Sequence, residues 1–399
     1  MSGPPRWARR AANGCLWFTA ATIPLSTTGM QLGVGGLVAL SVAAWLSGWG
    51  VVRRTPLDTA LGLFFGCAAL STLVSGHPLQ ATAWIKSWTV VSFFVVYWWL
   101  DGATGANKFM RTLAAAGGLA ALYGIVQHFT GIDWYREMLG RPRRVRPRTP
   151  NDPHFAVVGF FRNYLTYAHT MVMPYSAALG LGLRSEGGWW VAALVIVTAI
   201  LFSTARGAWL AVLAATIVIV SFGRGRPAAL VVLALLAVVA ITVGQSAALQ
   251  RGVGSMFALN GDNAGRVAIY GVNLDIIHDH PWFGLGFGRY QPAAAPYYRS
   301  AAKADRKSHA HNNFLQIAAE GGLVTVAAFA FLFAAALRLG LDAVHARNPV
   351  ARTTALGAWG AVIGFLVGGL TQYTFGDSEV VLGIWCVLAV LLRCRPHAA

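Results

Sequence analysis

Charge is what this sequence has least of. Only 11% of its 399 residues are Asp, Glu, Lys or Arg, against about 25% in a soluble domain. Acidic residues are the scarcer half: 14 Asp and Glu stand against 31 Lys and Arg, leaving a formal charge of +17. With 56% hydrophobic residues and a mean hydropathy of +0.56, a soluble globular or disordered chain is excluded. Nucleic acid suits a basic chain, but not one this apolar. Anionic lipid headgroups and phosphate-bearing substrates are the better partners. Cysteine is also sparse. Cys15, Cys67, Cys386 and Cys394 lie in apolar spans or the final tail, so neither a disulfide framework nor a zinc site is expected.

What is present is a series of apolar runs. A membrane span takes about 20 mainly apolar residues, and shorter ones occur. About twelve such runs can be placed: 12–30, 31–50, 57–75, 83–100, 109–130, 162–183, 188–204, 206–222, 227–247, 311–338, 353–372 and 379–393. The fold class predicted is all-α, a polytopic membrane protein with a single integral membrane domain over 1–399 and a large, partly helical loop. The first run follows Arg6, Arg9 and Arg10 and so mimics a signal peptide. With eleven runs behind it, a retained helix is the expectation.

Lys and Arg in short loops set orientation. With the N-terminus in the cytoplasm, Arg53-Arg54, Lys108 with Arg111, Arg184, Arg224 with Arg226, Arg338 with Arg347 and Arg352, and Arg393 with Arg395 all fall on the cytoplasmic side. The short opposite loops near 76–82 and 373–378 carry no Lys or Arg. Both termini are expected in the cytoplasm. Two long segments, 131–161 and 248–310, then lie outside. Long loops translocate largely regardless of charge, so the basic run Arg141–Arg148 and the residues Arg251, Arg266, Arg289, Arg299, Lys303, Arg306 and Lys307 do not defeat this topology. The run Arg141–Arg148 reads either as a proline-stiffened strap on lipid headgroups or as a collector of anionic substrate. Within the second loop, Val267, Tyr270, Leu274 and Ile277 recur at helical spacing and predict a helix over 263–280. Pro281 and the run Gly284-Leu285-Gly286-Phe287-Gly288 end it. This glycine run lacks the ending and the preceding strand of a phosphate loop. It reads as a tight turn that lets backbones approach closely.

The chemistry-bearing stretch is His309-Ala310-His311-Asn312-Asn313-Phe314-Leu315-Gln316, with Glu320-Gly321-Gly322 beyond it. Polar side chains at a membrane face need partners, because burying them bare costs several kcal/mol. A histidine can take a proton from a hydroxyl near neutral pH, and His311 is the candidate. Arg206 at the junction of two apolar runs, Arg162 beside Asn163, and Arg266 at the start of the loop helix share its side. Guanidinium groups hold phosphate oxygens bidentately. Each arginine alone is equally readable as a helix-end residue facing headgroups. His309/His311 and His278-Asp279-His280 supply possible metal ligands, but i,i+2 spacing in loops is weak evidence. No metal and no cofactor is expected. Glu320, on the opposite helical face about 13 Å along the axis from His311, reads as a structural partner for a buried polar group.

Taken together, Arg206-Gly207-Ala208-Trp209, Arg266 leading to Pro281-Trp282-Phe283-Gly284-Leu285-Gly286-Phe287-Gly288, and His311-Asn312-Asn313-Phe314-Leu315 with Glu320-Gly321-Gly322-Leu323 resemble the O-antigen ligase and polymerase family of bacterial envelopes, the ligase most closely. The motifs cover roughly residues 190–340. The resemblance implies a membrane-embedded glycosyltransferase. Its donor is a polysaccharide on undecaprenyl diphosphate, at the periplasmic face of the inner membrane. Its acceptor is a sugar hydroxyl of the lipid A core, and the transfer is inverting and metal-independent. Carried over, Arg206 and Arg266, and less surely Arg162, bind the diphosphate, and His311 acts as base. Asn312, Asn313, Gln316 and His309 are candidates for sugar contacts. Trp209 and Trp282 line a greasy groove or form the aromatic belt. The alternatives are an O-antigen polymerase or protein O-oligosaccharyltransferase, and a transporter of lipid-linked glycans. The last would call for matching halves and polar groups at the midplane, which the sequence does not offer.

Overall fold

Asparagine, serine and proline decide where the apolar runs become separate helices. In the computed structural model, residues 3–76, 87–147, 153–183, 188–223, 262–300 and 309–396, with the isolated positions 237 and 244, are described. Helix α1 spans Arg6–Thr22 and α2 spans Thr27–Leu46. Ser26 caps α2 by accepting from the Gly29 amide, and Pro24 keeps the two helices from joining. The boundary expected at 30/31 therefore falls several residues earlier. Helices α3 (Asp58–Val74), α4 (Val91–Trp99) and α5 (Gly102–Thr130) follow. The short α6 (Trp134–Met138) and a two-residue ladder pairing β1 (Arg146–Pro147) with β2 (Phe155–Ala156) fill the described part of the first long loop.

Asn163 caps α7 (Tyr164–Gly182) through Thr166 N, and Asn348 caps α14 (Pro349–Gly368), with Pro349 at its first turn. Between them lie α8 (Trp189–Phe202), α9 (Arg206–Phe222), the loop helix α10 (Asp262–Asp279), the short α11 (Tyr290–Ala293) and α12 (Ala295–Ser300), and α13 (Asn313–Val344). Helix α15 (Ser378–Arg393) ends the bundle. The helix expected over 263–280 is α10. The expected span 227–247, apart from positions 237 and 244, lies outside the described residues. So do Arg148, Arg184, Arg224, Arg226, Arg251, Lys303, Arg306 and Lys307.

This is an all-α membrane protein. Among the described residues, four helices, α2, α5, α13 and α14, are long and apolar enough to cross a bilayer, and α3, α8, α9 and the stretch Ser87–Trp99 are shorter apolar helices. Helices α7, α14 and α15 form the centre: nearly every α7 residue after Leu165 and every α15 residue after Glu379 is buried. Helix α14 packs on both α9 and α7, α5 on α8, and α3 on α13.

Helix α13 is broken. Gly322 has φ 71° and ψ −179°, outside helical geometry. The turn after α10 fills the gap: Leu323 N donates to Pro281 O (2.7 Å) and Leu285 N to Ala319 O (2.9 Å). A Cβ on Gly322 would collide with Trp282 O, and one on Gly284 would lie 2.6 Å from Ala319 O. Only glycine permits that approach. Ser71 of α3 locks the turn by donating to Phe283 O (2.6 Å), and Ser75 donates to Gly284 O (3.2 Å).

Candidate functional site

The segments carrying the candidate residues meet at one end of the bundle, around the turn 369–374 between α14 and α15. The amide of Asn313 donates to Gly369 O at 2.6 Å, and Asn312 Nδ2 donates to Leu370 O at 2.9 Å. Tyr270 of α10 brings its hydroxyl to the same Leu370 O at 3.1 Å. Thr371 lies against Gly207 of α9, where a Cβ would collide with its Oγ1. Gln372 Oε1 accepts from His311 Nδ1 at 2.9 Å. One uncharged turn thus touches the beginnings of α9 and α13 and the loop helix.

His311 is not helical. Its φ is +52°, and Asn312 behind it is the true N-cap, accepting from Phe314 N and Leu315 N. The imidazole is half-buried. The His309 ring lies beside it, centroids 4.2 Å apart, and His309 Nδ1 accepts from the His311 amide. Arg206 opens α9 behind Thr204, which also has a positive φ, +63°. Arg206 and Arg266 are both half-buried. Arg266 lies four residues before Tyr270, one turn back along α10. Burial raises the Tyr270 hydroxyl pKa, and the Arg266 charge lowers it in part. Arg162 is exposed just ahead of the Asn163 cap of α7.

On that same helix, His169 is buried among the small residues of this junction. Its Nδ1 donates to Leu165 O (2.9 Å). A Cβ built on Gly368 would come within 2.9 Å of its Cδ2, so the ring fits because that neighbour has no side chain.

The carboxamides expected to meet sugar hydroxyls are used inside the protein. Asn313 is fully buried, donating to Thr374 Oγ1 and accepting from Phe375 N. Gln316 is 1% exposed and accepts from Ala310 N at 2.7 Å. Asn312 caps α13 and ties it to Leu370. These side chains build the scaffold that holds His311, because backbone groups at a helix start and a tight turn must find partners. Glu320, 4% exposed, accepts from Tyr290 N at 3.0 Å, the structural role expected of it.

Trp209 is 9% exposed and donates to Ile200 O, so it belongs to the packing of α8 on α9. Trp282 is 64% exposed. It lines a cavity of about 370 Å³ with Val74, Ser75, His280, Phe283 and Leu285. Among the described residues, no three His, Cys, Asp or Glu side chains are arranged to hold a metal ion.

Sequence reasoning missed Gln372 and the turn around it. Gln372 stands 61 residues from His311, in a stretch without charge. No local spacing signals the pair.

No curated protein matches the chain. Residues 191–330 match the O-antigen ligase family, a stretch that runs from α8 into α13 and contains Arg206, Arg266, His311 and Glu320.

Proposed function

We propose that the protein transfers a polysaccharide from undecaprenyl diphosphate to a sugar hydroxyl of the lipid A core, at the periplasmic face of the inner membrane. The observation that carries this reading is the gathering, on one turn, of the His311 imidazole, the Arg206 end of α9 and the helix that bears Arg266. The family match points the same way, to an enzyme acting on lipid-linked glycans.

The donor's anomeric carbon already bears a good leaving group. The protein must bind the diphosphate, offset the charge that builds on it, and take a proton from the incoming hydroxyl. Arg206 and Arg266 clamp the diphosphate oxygens, with Arg162 at the approach. The acceptor oxygen bonds to the anomeric carbon from the face opposite the diphosphate. The carbon–oxygen bond to the diphosphate breaks, and its electron pair leaves on undecaprenyl diphosphate. The hydroxyl proton passes to His311 and then to water. His309, half-exposed beside His311, is the remaining candidate for a sugar contact. Trp282 and its cavity offer apolar surface at the same end for a prenyl chain.

The test is a purified, detergent-solubilised protein given lipid-linked polysaccharide and lipid A core. A glycosidic bond should form without any compartment to cross, which a transporter would not achieve. His311→Ala should lose about 10²–10⁴-fold in rate, the usual contribution of a general base. Arg206→Lys should also be poor, since an ammonium lacks the bidentate fork. Near-normal transfer by His311→Ala would remove that residue from the chemistry. Transfer only to a second lipid-linked glycan, or to a protein, would instead favour the polymerase or protein oligosaccharyltransferase.

A further inference from the structure

The geometry points to Gln372 as the positioning residue of this site, the group that fixes which ring nitrogen of His311 bears the hydrogen and which carries the lone pair. This rests on the reading of His311 as the base. A carboxamide oxygen has no hydrogen to give. The 2.9 Å contact between Gln372 Oε1 and His311 Nδ1 therefore puts the ring hydrogen on Nδ1 and leaves the lone pair on Nε2. Which nitrogen of a histidine is protonated is set by the bond the other one makes, and the wrong tautomer disables a base even when its position is right.

The oxygen itself is held. Gln372 is 5% exposed, and its backbone is tied at both ends: its N donates to Gly368 O (3.1 Å) and its O accepts from Thr374 N (2.9 Å). Thr374 accepts from Asn313, and Leu370 accepts from Asn312 and Tyr270. Each of these bonds joins the turn to the segment carrying His311 or to the helix carrying Arg266. The imidazole is thus fixed by its own left-handed backbone on one side and by Gln372 on the other. Such fixing outside the reacting groups is what keeps a base in register with its substrate.

A neutral partner also suits the surroundings. The titratable and charged groups grouped here are His309 on the same loop, Tyr270 and Arg266 on α10, Arg206 on α9, His169 on α7, and Tyr373 in the turn, with Glu320 and Asp377 acting on Tyr373. A carboxylate at position 372 would compete with the donor diphosphate for the guanidinium groups and would stabilise the charged imidazolium. A carboxamide orients the ring and does neither. During transfer the acceptor proton moves to Nε2 while Nδ1–H stays on Gln372. The imidazolium then returns the Nε2 proton to water.

The experiment measures kcat and KM across pH for the wild type, Gln372→Leu, Gln372→Glu and His311→Ala, with lipid-linked polysaccharide and lipid A core as substrates. Gln372→Leu should lower kcat by about 10–100-fold, less than the loss of the base itself, with the donor KM changed by less than about twofold. Gln372→Glu is close in shape and covers the case in which the leucine variant fails to accumulate. It should move the acid limb of the kcat profile to higher pH, because a carboxylate beside Nδ1 favours the imidazolium, which cannot accept a proton. An inactive His311→Ala together with an unshifted limb in Gln372→Glu, or with wild-type kcat in Gln372→Leu, overturns the role of Gln372 and leaves that of His311 standing. An active His311→Ala overturns the base, and Gln372 with it.

Discussion

Among the described residues, the two non-glycine positions with positive φ are Thr204 and His311. One precedes Arg206 by two residues and the other is the proposed base. A β-branched residue rarely adopts this conformation, and holding it there costs on the order of 1–3 kcal/mol. Such strain persists where neighbouring structure over-determines it, and here that structure is the turn 369–374 with its hydrogen bonds. Among the described residues, the Thr204 hydroxyl makes only a local bond, to Ser203 O at 2.6 Å. Thr204→Gly should therefore raise thermal stability, by about 1 kcal/mol once the greater chain entropy of glycine is counted. A calorimetric or fluorescence melt in detergent checks it. An unchanged or lower melting temperature would mean that the Thr204 side chain contributes packing that offsets the strain. The residue scale is also where the sequence was most readable. His309 and His311 stand together in a short polar string at the start of an apolar run, and that contrast made them candidates. The internal bonds of the neighbouring Asn312 and Asn313 to Leu370, Thr374 and Phe375, about sixty residues away, are announced by no local pattern.

At the scale of elements, close approach matters more than any single bond. Gly207 sits in the first turn of α9 with Thr371 against it. Alanine is the better helix former by about 1 kcal/mol, but a Cβ here would overpack the junction at a cost of about 1–3 kcal/mol. Gly207→Ala should push Thr371 away, carry Gln372 with it, and reduce transfer at least about tenfold while the protein still accumulates in membranes. Undiminished transfer would show that the α9–turn contact is not what sets the His311 geometry.

A second element contact joins α10 to α12. Asp279 Oδ2 accepts from the Tyr297 hydroxyl (3.0 Å), and its other oxygen meets His278 Nδ1 (3.2 Å). The His278 bond, then the Tyr297 bond, hold the Asp279 pKa below its ordinary 3.8. Desolvation, then the bond to Asp279, raise that of Tyr297 from 10.0 to about 12. A depressed carboxylate stabilises above its unfolded pKa and loses that contribution as pH falls through the folded value. A raised tyrosine contributes below 10.0 and loses it as pH rises towards about 12. Hydrogen exchange over 279–298, corrected for intrinsic rates, should be slowest between these limits. Tyr297→Phe should speed it at neutral pH, and equal exchange in the variant would leave the clamp without effect. The glycine turn at 284–288 was legible as a place of close approach. That it inserts into a break at Gly322 was not, since the apolar run through 311–338 reads as one continuous helix.

For the molecule as a whole, the two ends of the bundle carry different groups. The turn 369–374, the serines that close α3, the ladder of the first long loop and the α8–α9 junction share the end that holds His311. At the other end Arg53 and Arg393 both lie over the Tyr97 ring, at 5.7 and 5.4 Å, and Arg111 lies over Trp189. The lysine and arginine excess of the short loops predicts that this second end faces the cytoplasm. Cysteine labelling in intact cells tests this directly. Cys386 and Cys394 are buried, and Cys15 and Cys67 are half-buried in helices, so a bulky charged maleimide has little native background. The His278 side chain is 88% exposed and that of Arg338 70%. With the outer membrane permeabilised, His278→Cys should react with an impermeant maleimide, and Arg338→Cys should react only after the inner membrane is opened. The opposite pattern would put His311, Arg206 and Arg266 on the cytoplasmic surface. Lipid A core carried on the far leaflet could not then meet them, and the proposed acceptor would have to be abandoned even if the residues themselves proved essential.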